Sequence, residues 1–374
     1  MTTTDQPTET HEQVEPPVAF EADEADWRPS REGVIARLVA LGALVVVIVA
    51  IPHLVDDVYV NLVSRVAVYG IVALSMNVLV GYAGQVSLGH AAFFGVGAFG
   101  SAYGLAEMDV PWPAAVVLAA ITGAVGAIVL GAVALRLQGL YLALVTISYG
   151  LFAERTMFNI RSLTGGGAGQ EAPRPSFFES DVQYAYLCLG FLALALLFDW
   201  RLVSSRSGRS IQALRDDERV AASWGVNVTG YKLLAFIISG VLAGIAGALF
   251  ASINQVAVAP DFGFSLSLTF LVMTVVGGIG NRWGVVLGGA LFAVLPTLLD
   301  RAHENFHFFP FSIIEATWEP AIGALLLLLT LISFPGGLAQ QLGPVLGWLQ
   351  FRKFAVDHGD AGPATAGGGM GARP

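Results

Sequence analysis

Charge is what this sequence has least of. Asp, Glu, Lys and Arg make up 13% of the 374 residues and apolar residues make up 55%. An ordinary soluble domain is about 25% charged, so the chain belongs in a bilayer. Lysine is scarcer still, with only Lys232 and Lys353. Neither stands in a Gly-Lys-Ser/Thr context, which leaves no Walker A nucleotide site. The single cysteine, Cys188, excludes an internal disulfide and gives no metal site. It lies in an apolar run and reads as lipid-facing or packed filler. The six histidines are scattered. His303 and His307 are the one close pair, and Pro310 with the loop-like composition around them argues against a metal-binding helix. No grouping of nucleophile, carboxylate and imidazole suggests catalysis, so neither enzyme activity nor a cofactor or metal is expected. A basic groove interleaved with aromatics is also missing, which argues against a nucleic-acid partner.

The net charge of −9 is concentrated. Asp5, Glu9, Glu12, Glu15, Glu21, Asp23, Glu24 and Asp26 fall in the first 26 residues, while the charges near apolar runs are mostly Arg. Residues 1–30 lack the basic start and apolar core of a signal peptide and read as a disordered acidic cytoplasmic tail. Residues 341–374 read as a second cytoplasmic tail.

What the sequence does have is apolar runs of membrane length over 31–340. The pattern predicts an all-α polytopic membrane protein of about ten spans. They fall at 35–51, 59–80, a glycine-rich 81–104, 113–134, 139–158, 184–200, 231–253, 264–280, a ninth after Trp283, and 313–334. Both termini are then cytoplasmic. One long polar segment, 201–236, interrupts this pattern. Its Arg201, Arg206, Arg209, Arg215, Arg219 and Lys232 put the loop at 201–230 in the cytoplasm, as parity from the N-terminus also does. Arg136 and Arg282 mark other inner turns. Within the loop, 210–225 reads as one short helix. Ile211, Leu214, Glu218, Ala221, Ala222 and Gly225 share a face that narrows to small residues. A plain amphipathic helix on the membrane surface has the same pattern.

That segment resembles the cytoplasmic coupling loop of ABC-importer permeases, in which a short helix sits in a groove of the ATPase. The run GRSIQALRDDERVAASWGVNVTGYKLLAFIISGVLAGIAGAL, residues 208–249, is similar to branched-chain amino-acid permeases of the LivM type. The general coupling pattern, Glu-Ala-Ala, three residues, Gly, is out of register here. Arg219, Val220 and Ala221 fill the first three places, and Glu218 lies one position early. Two further stretches carry the resemblance: GQVSLGHAAFFGVGAF at 84–99 and VVGGIGNRWGVVLGGALFAVLPTLL at 275–299.

The resemblance implies a permease subunit in a bacterial cell membrane that moves branched-chain amino acids inward. It implies a second, LivH-like permease subunit, two ATP-binding subunits and an extracytoplasmic solute-binding protein. ATP would be bound only by those partners. Urea and short-amide permeases look similar, so the solute stays open. A stand-alone secondary transporter would need ionisable residues buried in mid-span for ion coupling, and almost none is visible.

Several residues are candidates within this reading. Gly84, Gln85, Ser87, Gly89 and His90 belong to the glycine-rich signature. Seven glycines in 81–104 suit either close helix packing, as at Gly100 and Gly104, or a broken helix lining a cavity. His90 is the titratable residue there, either hydrogen-bonded between helices or placed on the solute path. Thr164, Gly165, Gly166 and Gly169 match a run of the family and face outward, as an entrance element or a plain turn. Glu315 and Glu319 lie a turn apart near the outer end of the tenth span. They read as headgroup-level carboxylates or as the lining of an entrance. Gly240, Gly244 and Gly247 give the seventh span a small-residue face for helix packing.

Overall fold

The computed structural model of the chain describes residues 57–135, 137, 139–305, 321–322, 324–325, 329 and 337–340. The expected first span at 35–51, both tails, most of the tenth span, Arg136, His307, Glu315 and Glu319 lie outside the described residues.

Eleven helices carry the described chain. α1, Asp57–Met76, runs directly into a π-helical stretch, Asn77–Tyr82. Then come α2, His90–Ala106; α3, Trp112–Ala134; α4, Leu140–Arg155; and the single turn α5, Arg161–Thr164. α6 is Asp181–Ser204, α7 Arg206–Asp216 and α8 Glu218–Ser223. α9, Val228–Asn254, is followed by α10, Phe264–Gly277, and α11, Arg282–Asn305. Two-residue strands, Gln170–Glu171 and Val256–Ala257, pair antiparallel and tie the long outer loop to the end of α9.

Five of these helices are long and apolar enough to cross a membrane: Tyr59–Tyr82, Trp112–Val133, Asp181–Ser204, Val228–Asn254 and Arg282–Arg301. α10 is a shorter apolar helix. The protein is an all-α polytopic membrane protein, as its composition predicts.

Two expected elements differ. The third span does not begin at Gly81, because the helix starts only at His90, and residues 83–89 form an irregular stretch. Burial alternates along that stretch: Ala83, Gln85 and Ser87 are buried, while Gly84 and Val86 are exposed. This period of two lays one face of the chain on the bundle as it runs out of the helix, with bends at Ala83 (φ −94°, ψ −9°) and Gly84. Gly84 adopts a positive φ of 67° that breaks any helix there. Unpaired backbone is tolerated at membrane depth only where protein or a cavity covers it. Here the Leu88 N–H donates to Thr146 Oγ1 of α4 at 3.0 Å, and the Gln85 N–H donates to Leu79 O at 2.8 Å.

The second difference is in the arginine-rich loop. The expected single helix over 210–225 is two helices, α7 and α8, broken at Asp217. That residue is extended (φ −162°, ψ 117°) and its carboxylate accepts from the backbone N–H groups of Arg219 and Val220 at 2.7 and 3.1 Å. Asp217 is therefore the N-cap of α8.

α9 is the centre of the bundle and packs on α1, α2 and α3. Lipid tails are as apolar as leucine, so burial alone does not drive helices together in a bilayer, and close backbone approach does. The α9 glycines supply it. A Cβ on Gly97 of α2 would overlap the backbone of Gly244, and one on Gly247 would overlap Phe94 O. Gly240 and Gly123 of α3 exclude each other's Cβ in the same way. The packing face expected for Gly240, Gly244 and Gly247 is thus the contact between α9, α2 and α3. Gly100 and Gly104 likewise seat α2 against Thr122 and Leu118 of α3. Phe94, Phe99, Phe158, Phe250, Phe262 and Phe270 interlock at centroid distances of 5.2 to 6.2 Å and fill the space beside this contact. Cys188 is fully buried and is packed filler.

Candidate functional site: a charged joint and a broken helix

The arginine-rich loop defines one end of the bundle. α6 reaches it at Ser204, Ser205 caps α7 by accepting from Gly208 N at 3.0 Å, and α9 leaves it at Val228. Its inward face is apolar. Ile211, Leu214 and Ala221 are buried against the bundle. Ala222 and Gly225 are exposed, so the six residues expected to share one presented face do not. The break at Asp217 turns α8 relative to α7. The surface that the loop offers outward is instead Val220 and Trp224, exposed by 54% and 83%, with Ala222 and Ser223 beside them. The Asp217 carboxyl sits below the usual carboxylate range because the N–H groups of Val220 and then Arg219 stabilise its charged form.

Charged side chains lock the loop to the membrane domain. Glu218 Oε1 lies 2.5 Å from Lys232 Nζ of α9 and accepts from Gln85 Nε2 at 3.3 Å. The Lys232 side chain is almost wholly buried. Arg215 Nη1 donates to Gly81 O at 2.6 Å, and the Arg215 stem lies against Gly84. A polar cleft of about 370 Å³ runs between loop and extended stretch, lined by Gln85, Gly139, Arg215, Asp216, Asp217 and Glu218 among others. Gly84 and Gln85, candidates for the translocation path, sit beside this joint.

A second ionic tie lies nearby. Asp199 of α6 is fully buried; its Oδ2 is 3.2 Å from Arg282 Nε of α11 and accepts from Tyr82 O–H at 3.1 Å. Asn77 Oδ1 accepts from Gly280 N at 2.8 Å. The two Gly-x-x-Gly segments, 81–84 and 277–280, thus meet at one point under Arg215. Gly337, later in the chain, packs on Gly278 at the same end.

Deeper in, His90 opens α2 and is fully buried. Its Nε2 is 2.9 Å from Ser75 Oγ of α1, and Ser75 O–H donates to Ser239 O of α9 at 2.7 Å. His90 is therefore hydrogen-bonded between helices. Its Nδ1 and the Ser87 hydroxyl are buried without a partner. Ser267 of α10 accepts from Ala91 N at 2.9 Å and so caps α2 from a different helix. Gly89 lies against Thr146 of α4 with no room for a Cβ.

The outer candidates form a turn. Thr164 O–H bridges Phe158 O and Ile160 O at 2.9 and 3.0 Å. Gly165, Gly166 and Gly169 take positive φ values of 69°, 64° and 79°, which only glycine adopts freely. They reverse the chain into the Gln170–Glu171 strand. Thr164 and Leu163 also edge an apolar hollow of about 280 Å³ between α2 and α3.

The residues that sequence reasoning missed are Asp199, Arg215, Lys232, Val220 and Trp224. Lys232 and Asp199 were findable as lone charges inside apolar helices. The outward face of α8 was not, because it depends on the break at Asp217.

Comparison with known proteins falls on the same stretch of chain. The sequence pattern described as "Branched-chain amino acid transport system / permease component" matches residues 58–333. The LivM permease protein of the high-affinity branched-chain amino acid transport system of Salmonella typhimurium is 34% identical over 298 residues, 71% of this chain and 69% of that protein. The probable LivM protein of Methanocaldococcus jannaschii is 27% identical over 72% of this chain and 90% of its own length. The LivH permease protein of Escherichia coli K12 is 23% identical over 74% and 93%. With the family pattern covering residues 58–333 and a LivM relative 34% identical over 71% of the chain, the chain is a LivM-type permease of the branched-chain amino acid transport system permease-component family.

Proposed function

We propose that the chain is a membrane-spanning subunit of an ABC importer that carries branched-chain amino acids inward, powered by separate ATP-binding subunits. The observation that carries the reading is the two-faced cytoplasmic loop. Its inner face is bonded to the bundle through Arg215, Glu218 and Lys232, while its outer face holds an uncovered Trp224 and Val220. A large aromatic at the tip of a rigid loop is the composition of an interface anchor. The occupant proposed for it is a groove on an ATPase subunit. The solute follows from the names of the LivM and LivH relatives.

The path is proposed to run along the exposed edge of the extended stretch, at Gly84 and Val86. A second permease subunit would cover it from the side of α4, where Leu140, Tyr141, Leu144, Leu151 and Phe152 are exposed. A solute-binding protein would dock at the opposite end, over the turn at 163–171.

The test is uptake of labelled leucine, urea and a short amide by cells expressing the chain with its partner subunits, wild type against Trp224→Ala plus Val220→Glu. Leucine uptake lost in the double variant, with the chain still in the membrane but no longer copurifying with the ATPase, supports the reading. Urea or amide uptake without leucine uptake overturns the solute. Undiminished uptake by the double variant overturns the docking face.

A further inference from the structure

Glu218 of α8 joins α9 and the stretch 83–89 at this joint, and we infer that it is the positioning residue through which a movement of α7 and α8 reaches that extended stretch and His90. The inference rests on the reading that this loop docks on an ATPase subunit. One carboxylate oxygen, Glu218 Oε1, is held by Lys232 of α9 and by Gln85 of the stretch. Arg215 adds a second tie from α7 to Gly81 O. Displacing the loop therefore pulls on both ends of the turn that begins the stretch.

The stretch is built to respond. It has no hydrogen-bond ladder of its own, and is held by side chains of other helices: Thr146 at Leu88 and Ser267 at Ala91. Such a segment moves at a lower cost than the helices on either side of it. Its two ends are referred to one rod. Lys232 and Ser239 of α9 are seven residues apart, two turns on the same face and about 10 Å along the axis. Lys232 holds Gln85 through Glu218, and Ser239 holds His90 through Ser75. Tilting the loop against α9 strains this bracket.

A second observation points to another arrangement of the same segment. Ser87 Oγ and His90 Nδ1 are buried with no partner. A buried polar group left unpaired costs free energy that another conformation recovers. Two orphans within four residues mark the stretch as the piece that changes partners between the two transport states.

The test uses the complete importer in proteoliposomes, with ATP hydrolysis and solute uptake measured on the same preparation. Gln85→Leu cuts the tie to the stretch and leaves the Glu218–Lys232 pair. It should lower solute moved per ATP by about tenfold, the scale of a coupling free energy between sites, while the ATPase rate and subunit assembly stay near wild type. Glu218→Lys and Lys232→Glu should each uncouple, and the two together should restore uptake per ATP. Gln85→Leu with unchanged uptake per ATP overturns the inference. So does an assembled, ATP-hydrolysing double variant with no restored coupling. Failure of the underlying reading is visible separately, as a wild-type chain that neither binds nor stimulates an ATPase subunit.

Discussion

Replacing Gly97 by alanine tests how this bundle is held together. A Cβ at Gly97 would overlap the Cα, carbonyl carbon and oxygen of Gly244. Those are backbone atoms in the middle of α9, so no side chain can swing aside. Carbon atoms pack at about 3.5–4.0 Å, and restoring that spacing requires α2 and α9 to part by roughly an ångström or more. α9 also touches α3 through Gly240 and Gly123, so parting one contact disturbs the other. Overpacking typically costs about 1–3 kcal/mol, and a backbone-on-backbone collision belongs at the upper end, about 3 kcal/mol. Gly190→Ala is the control. It lies on an exposed face of α6 with nothing within 4 Å of its Cβ. Alanine is favoured over glycine in a helix by about 1 kcal/mol in water, and by less in a bilayer, where the helix persists when packing is lost. The two substitutions are chemically identical and should differ in sign. In thermal unfolding of the detergent-purified chain, Gly97→Ala should lower the midpoint by roughly 5–10 °C, and Gly190→Ala should hold or raise it. An unchanged midpoint for Gly97→Ala, or an equal loss for Gly190→Ala, would refute close backbone approach as the main source of stability.

Three further outcomes follow from the charged groups. Asp199→Asn leaves Arg282 facing a neutral partner; removing one member of a buried pair costs about 3–5 kcal/mol, and the partial exposure of Arg282 places this variant at the low end. Asp199→Leu with Arg282→Leu should recover most of the loss in the same melting assay, and no recovery would show that the pair does more than offset its own burial. Arg174 donates to Ser252 O, Ile253 O and Asp181 Oδ1, closing the C-terminus of α9. Arg174→Gln should raise hydrogen exchange over the last turn of α9 and leave the arginine-rich loop unaffected. The Asp217 cap gives a pH signature. Its folded carboxyl is depressed below the ordinary value of 3.8, so its stabilisation is present above that value and is lost as pH falls through the lower folded one. Protection of the Arg219 and Val220 amides, corrected for intrinsic rates, should be flat from about pH 8 to pH 5 and absent in Asp217→Ala throughout; a fall near neutrality would point to another group.

The membrane class, the helix runs and the arginine-rich loop between α6 and α9 were legible because each rests on local composition. Gly240, Gly244 and Gly247 announced their packing face by spacing alone. The start of α2 was not legible. Glycine and serine between 81 and 89 signal a break, but its position is set by Thr146, Ser267 and Arg215, which are distant in sequence and act on the backbone one bond at a time. The division of 210–225 carried a readable sign in Asp217, a good N-cap residue before a short helix. The helical wheel hid it, because six residues are too few to show a period of their own. Placing Gly84 and Gln85 at the joint required the Arg215 and Glu218 contacts, which bridge more than 130 residues.

The distribution of buried charge bears on the proposed coupling. Among the described residues, the fully buried members of the Asp, Glu, Lys and Arg set are Asp199 and Lys232. Asp199 stands five residues before the end of α6 and Lys232 four residues after the start of α9. Each is within about a turn and a half of the end that meets the arginine-rich loop, and each is paired across to a different element, Arg282 and Glu218. A charge at the bilayer centre is far costlier than one near its edge, and both of these stand near a helix end. Here they gather in one layer, level with the loop and with the turn that begins the extended stretch. That layer is suited to passing a mechanical displacement from the loop to the broken helix. The Ser87 hydroxyl and the Nδ1 of His90, both without a partner, lie one step deeper, at the point where such a displacement would arrive.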